Sequence, residues 1–257
     1  MKRILLTISY DGTAYHGWQV QPNAITVQET VQNALGELLG ERPSLTGCSR
    51  TDAGVHAREF YCHLDCEEKF PESAFLKGLD SLLPDDISVK AAREVPPDFH
   101  ARYNAKGKTY AYYILNSAQS DPFLARHTWR IERNLNLERI NDFCKEIVGT
   151  HDFYAFSSSG RTVEDTVRTV KECYAVAEGD KVILKITADG FLYNMVRIIV
   201  GTAVAVSDGK IEPLFTKEIF TSKNRALAGQ TAPPQGLFLE KVWYMVGSIC
   251  LIIKRKR

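Results

Sequence analysis

The sequence predicts an α/β (α+β) chain of two similar halves, each a largely antiparallel or mixed sheet backed by helices on one face. Three observations predict it. Short β-branched and aromatic runs alternate with segments of helical spacing. That alternation occurs twice, on either side of the breaker pair Pro96-Pro97. The length, 257 residues, suffices for one large domain or for two smaller ones with a core each.

In the first half, residues 4–10 (ILLTISY) form an apolar run that stops at the turn signal Asp11-Gly12. Residues 26–40 place Val27, Val31, Ala34, Leu35, Leu38 and Leu39 at helical spacing. Thr26 is the N-cap, Glu29 completes a capping box three residues on, and Gly40 ends the helix. Residues 57–66 read as a strand, 72–83 as a helix stopped by Pro84, and 87–95 as a strand. In the second half residues 108–116 read as a strand and 137–149 as a helix starting after Asn136. Residues 167–189 form a hairpin turning at Glu178-Gly179-Asp180, 194–209 an apolar helix, 216–229 another helix and 237–244 a closing strand. The expected domains are 1–100, carrying the motif around Asp52, and 101–245, with residues 246–257 as an extension and the boundary near 96–106.

Lysines and arginines number 32 against 31 acidic residues, a formal charge of +1. Bulk basicity is therefore absent, and any site for a polyanion must arise from local clustering. Six cysteines contain no C-x-x-C pair. The run FYCHLDC alternates as a strand, with Cys62 and Cys66 on one face and His63 on the other, so reduced thiols are expected and no metal. The amino end enters a strand without a signal-peptide core. The apolar stretch near the carboxyl end is shorter than the roughly 20 residues of a membrane span. A cytoplasmic protein without membrane partners is expected.

Three segments carry more polar specificity than their elements require. In CSRTDAGVHA, Asp-Ala-Gly reads as a turn, yet Arg50 precedes Asp52 while His56 and Arg58 follow. In FHARYNAKGKTYAYY, His100, Arg102, Lys106 and Lys108 interleave with Phe99, Tyr103, Tyr110, Tyr112 and Tyr113. Cations that track phosphates beside rings that stack on bases suit a single-stranded or looped nucleic acid, and a plain aromatic strand has the same pattern. In DGFLYNMVRIIVG, Arg197 stands alone on an apolar helix, where a charge pointing inward needs a carboxylate. On these residues alone an Asp52–Arg197 pair reads first as a structural ion pair and only second as chemistry.

Together RTDAGVHA, KTYAYY, FLYNMVRIIVG, DGTAYHGWQVQP and APPQGLFL resemble the tRNA pseudouridine synthase A family, over nearly the whole chain from Tyr10 to about Tyr244. The resemblance implies the pseudouridine synthase fold with its active-site cleft between the halves. It implies a cofactor-free isomerase that converts uridine to pseudouridine at positions 38, 39 and 40 in the anticodon stem-loop of tRNA, working as a homodimer. A non-catalytic tRNA-binding or folding protein of the same fold is the alternative. The residues implied are Asp52 as the catalytic carboxylate, Tyr110, Arg197 as its cationic partner, Arg50 to hold the flipped nucleotide and Leu237 against the target base. The chain has Ser49 where the family usually has Gly before R-T-D, and a positive φ there would strain it.

These residue types suit the reaction. Uracil must leave C1′, turn and reattach through C5, so the sugar passes through electron-deficient character at C1′. A carboxylate can stabilise that charge, bond to it or remove a sugar proton. A cation beside it keeps it ionised, and Tyr110 could stack on the base or serve a proton at C5. A target inside a stem must be flipped out. Arg58, Arg102, Lys106, Lys108, Arg126, Arg130, Arg161 and Arg168 are candidates for holding the distorted RNA, and residues 151–169 suit an RNA-facing mobile loop. His56 and His100 read as structural histidines.

Overall fold

The apolar amino-terminal run becomes β1 (Lys2–Tyr10), flanked by antiparallel partners on both sides: β3 (His56–Cys66) and β4 (Ile87–Val95). The computed structural model describes residues 1–160, 163–246 and 249–251. A two-residue strand, β2 (Thr46–Gly47), pairs with β3 at Cys62 and His63. Helices α1 (Val27–Leu39) and α2 (Glu72–Leu82) join these strands and pack on each other, Gly78 leaving room for Leu38. The cap of α1 is as expected on one side: the Thr26 side chain accepts from the Glu29 N–H, and Gly40 ends the helix at φ +85°. The reciprocal half of the capping box is replaced, because the Glu29 carboxylate lies 3.8 Å from the Arg42 guanidinium.

The later segments form a second layer set. Strand β5 (Ala105–Leu115) pairs antiparallel with β9 (Lys181–Ala188), which pairs with β8 (Val167–Glu178), which pairs with β7 (Gly149–Asp152). β6 (Trp129–Arg130) adds a short parallel contact to β5. Helix α3 (Leu137–Ile147) starts at Asn136, whose side chain accepts from the Arg139 N–H, and covers β8, where the Asn141 amide both donates to and accepts from Ala175 backbone. Helix α4 (Met195–Ser207) lies against α3 and is buried nearly all round, as its apolar composition requires. Helix α5 (Thr216–Ser222) is shorter than predicted. Lys223 adopts φ +52° and binds Asp152 at 2.6 Å, and Asn224 caps a separate short turn, 225–227, so a tertiary ion pair ends a helix whose spacing could have run on.

By contacts, the chain forms two units: residues 1–106 with the segment that begins at Leu239, and residues 107–238. The sequence reading puts 101–245 in the second half. Two groups of residues belong instead to the first unit. Ala101 donates to His63 and accepts from the Tyr244 hydroxyl, and β10 (Leu237–Val246) lies beside β3. A strand's own pattern does not reveal which distant edge it will take. β11 (Ile249–Leu251) folds back on β10 within the stretch expected as an extension. Among the described residues no helix is long and apolar enough to cross a membrane.

Candidate active site

In the first unit the RTDAGVH segment links β2 to β3. Asp52 opens a four-residue turn closed by the Val55 N–H on the Asp52 carbonyl at 3.2 Å, with Gly54 at φ +75°. Thr51 is 7% exposed and Asp52 half-buried, so the turn is seated at Thr51 and more open at Asp52. The segment after β1 lies against this turn. Trp18 N–H donates to the Thr51 carbonyl at 3.1 Å and Gly54 N–H to the Tyr15 carbonyl at 3.2 Å. The Tyr10 hydroxyl is 2.8 Å from Thr51 Oγ1. Two glycines permit the contact: a Cβ at Gly12 would lie 2.1 Å from the Val55 oxygen, and one at Gly17, whose φ is +89°, 2.6 Å from the Thr51 oxygen.

His56 is buried, with Nδ1 accepting the Gly12 N–H at 3.0 Å and lying 3.1 Å from Asp11 Oδ1. His100 Nδ1 accepts from the N–H groups of Arg102 and Tyr103. Both thus hold backbone, as expected. Arg50 is exposed, Arg102 is half-buried in the turn after Ala101, and Arg58 pairs with Glu240 at 2.9 Å on the surface of the same unit.

In the second unit Tyr110 sits mid-β5, 6% exposed, edge-on to Phe191 with centroids 5.0 Å apart. Lys108, two residues earlier, is half-buried. Arg197 stands in the first turn of α4. Its Nε donates to the Ala232 carbonyl at 2.7 Å and its Nη1 to the Asn194 side-chain oxygen at 2.8 Å, while the Arg197 carbonyl accepts the Ala232 N–H at 3.0 Å. Asn194 can hold this place because it tolerates φ +60°, and its amide also donates to Ser158. The stretch 228–232 crosses α4 where Gly229 meets Gly201, its N–H donating to Thr202 Oγ1 at 2.9 Å. Leu237, 6% exposed, follows a short turn over Pro234–Gly236, where a Cβ on Gly236 would lie 2.6 Å from the Tyr112 ring. The Tyr112 hydroxyl donates to the Pro233 carbonyl at 2.7 Å, and burial pushes its pKa well above the usual tyrosine range.

Residues 6–104 and 143–245 match the sequence profile of the family described as tRNA pseudouridine synthase. A tRNA pseudouridine synthase A from Clostridium acetobutylicum is 47% identical over 244 residues, 95% of this chain and 100% of that protein. The chain belongs to the tRNA pseudouridine synthase A family. Proteins of the same name from Ruminiclostridium cellulolyticum and a Thermoanaerobacter species are 45% and 46% identical, each over 95% of this chain and the whole of the relative. With the family comes the pseudouridine synthase fold.

Within the family frame, Asp52, Arg50, Arg58 and Arg102 belong to the first unit and Lys108, Tyr110, Arg197 and Leu237 to the second. Ser49 is not among the positive-φ residues, so the serine is unstrained there. Other basic candidates are engaged locally: Arg130 with Glu132 and Arg168 with Asp165. Arg126 and Lys106 are exposed, and Arg161 lies outside the described residues. Of the stretch expected as a loop, 151–169, the start belongs to β7 and the end to β8, and a short turn at Tyr154–Phe156 buries the Phe156 ring. The sequence reading takes Gly12 only as a turn signal and does not single out Tyr10, Gly17 or Thr51, nor the Asn194, Thr202, Gly229 and Ala232 set around α4. The glycines of DGTAYHGW and the Asn before an apolar helix are signals for both.

Proposed function

We propose that this protein is a tRNA pseudouridine synthase that isomerises uridine in the anticodon stem-loop, at positions 38 to 40, and works in the cytoplasm as a homodimer. Family membership over the full chain, with the RTDAGVH turn presenting a half-buried carboxylate, carries the reading. Five buried free cysteines among the described residues suit a reducing compartment.

The reaction breaks the C1′–N1 bond and forms C1′–C5. The hydrogen leaves C5, and N1 ends protonated, so atoms balance without an oxidant. Asp52 answers the electron deficiency at C1′ by charge, by a covalent bond or by taking a sugar proton. Arg197, carried on α4 and oriented by Ala232 and Asn194, is the cation that keeps Asp52 ionised. Tyr110 stacks on the uracil, with its hydroxyl serving the proton exchange at C5. Leu237 packs the base, and Arg50, Arg58, Arg102 and Lys108 hold the RNA while the nucleotide is flipped out.

The test uses unmodified tRNA carrying 5-tritiated uridine, with wild type and Asp52→Asn side by side. Tritium release by wild type alone supports the reading. Release by neither protein, with tight tRNA binding by both, points to the non-catalytic binder, and release by both removes Asp52 from its role. Mapping the modified uridines and sedimentation of the free protein check the positions and the dimer.

A further inference from the structure

We propose that Tyr10 is a positioning residue for Asp52, acting through Thr51, and that residues 10–18 form a clamp which sets where the carboxylate points. The inference rests on the catalytic reading of Asp52 and adds to it a part of the machinery that lies outside the RTDAGVH motif.

The geometry carries it. Tyr10 is the last residue of β1 and 4% exposed, with its ring 6.5 Å from that of Trp18 and 5.6 Å from that of Phe60, so the rotamer is fixed by packing. Its hydroxyl reaches Thr51 Oγ1 at 2.8 Å. Thr51 is the residue before Asp52, and its carbonyl is held as well, by Trp18 N–H. The peptide joining Thr51 to Asp52 therefore has its side chain and its oxygen both fixed by the same short segment. Gly17 lies against that peptide and the next, since a Cβ there would come 2.6 Å from the Thr51 oxygen and 3.1 Å from the Asp52 carbonyl carbon. Beyond Asp52 the same segment takes hold again: Tyr15 O on Gly54 N–H, and Gly12 N–H on His56 Nδ1.

A turn bonded only to itself would leave Asp52 free to rock about its ends. Here both ends are bonded to a segment anchored in the β1–β3 sheet, while Asp52 itself stays half-buried. Transition-state stabilisation is steep in geometry, and about 1 Å of misplacement is worth a factor of roughly 100 in rate. The hydroxyl of a buried tyrosine that bonds the neighbour of the catalytic group has that kind of leverage without touching the substrate.

The experiment uses the full-length protein and tRNA with 5-tritiated uridine. It compares wild type, Tyr10→Phe, Thr51→Val, Thr51→Ser and Asp52→Asn by single-turnover tritium release, tRNA affinity and melting temperature. Tyr10→Phe and Thr51→Val are expected to slow the single turnover about 10- to 100-fold. Their tRNA affinity should stay within about twofold and Thr51→Ser, which keeps the hydroxyl, should recover most of the rate. A variant carrying both Tyr10→Phe and Thr51→Val, measured beside them, should be no slower than the slower single one, because both changes remove the same bond. A Tyr10→Phe rate within twofold of wild type, a rate loss matched by lost tRNA affinity, or Thr51→Ser as slow as Thr51→Val would each overturn the proposal. Asp52→Asn separates the two levels: if it turns over normally, the catalytic reading falls, and if it is dead while Tyr10→Phe is normal, only the clamp falls.

Discussion

The two units solve the placement of a charged side chain in opposite ways. In the first, the carboxylate of Asp52 is carried by a turn, outside any strand or helix, and hydrogen bonds from a neighbouring segment hold the turn still. In the second, Arg197 is carried by a helix buried almost all round, and a crossing strand of backbone clasps it at Ala232. The difference follows from the chemistry of the two groups. A guanidinium has five donors in a fixed fork and can be oriented by carbonyl oxygens deep in a fold. A carboxylate has only acceptors and cannot bond backbone carbonyls, and around Asp52 it is the backbone of the turn that the neighbouring segment holds. Unit one should therefore tolerate changes in packing while losing rate, and unit two should lose its fold before it loses its geometry.

The strongest way to break this comparison is Gly201→Ala. The new Cβ would stand 1.8 Å from the Gln230 oxygen, and forcing the crossing apart should cost roughly 3 kcal/mol or more. Chemical denaturation followed at Trp129, the tryptophan of the second unit, should show the loss. An unchanged midpoint would mean that the Gly201–Gly229 crossing does not hold α4.

The next effect belongs to the first unit. His63 is buried, accepts the Ala101 N–H, and lies near Arg3 and His100; burial first, then these cations, lower its pKa from 6.5 to about 4. The unfolded chain then takes up the proton first as pH falls. Stability is fully present above about pH 6.5 and is lost progressively toward pH 4, by roughly 3 kcal/mol in all. In His63→Asn, whose amide oxygen can accept the same N–H without titrating, the slope of stability against pH in that window should flatten. An unchanged slope would locate the titration elsewhere.

Smaller effects sharpen the contrast. Tyr112→Phe removes the bond to the Pro233 carbonyl and should cost about 1 kcal/mol, read as a shift in the denaturation midpoint. Arg58→Ala breaks an exposed pair with Glu240 and should change stability by less than about 1 kcal/mol, while weakening tRNA binding in a filter assay. A variant that binds tRNA like wild type would take Arg58 out of the RNA-contacting set.

Local signals were legible wherever the physics is local. The Thr26 cap, the stop at Gly40, the Asn136 cap and the turn at Glu178-Gly179-Asp180 depend on residues within one turn of each other, and each stands where the pattern puts it. The motif around Asp52 was legible as a turn with excess polarity. What held it was not, because Gly12 and Gly17 matter through approaches to backbone about 40 residues away in sequence. The early end of α5 at Lys223 and the allegiance of β10 to the first unit failed to show for the same reason: each is decided by a partner, Asp152 or β3, that no window of sequence contains.

The return of β10 to the first unit also orders the molecule in time. Synthesis runs from the amino end, so residues 107–238, the whole of the second unit, leave the ribosome before the strand that completes the first. Until then the edge of β3 that β10 will occupy offers unpaired N–H and C=O groups to any passing strand. The half that emerges first is thus the half that finishes last. A nascent chain halted after Phe238 would carry a closed second unit behind an open-edged first one.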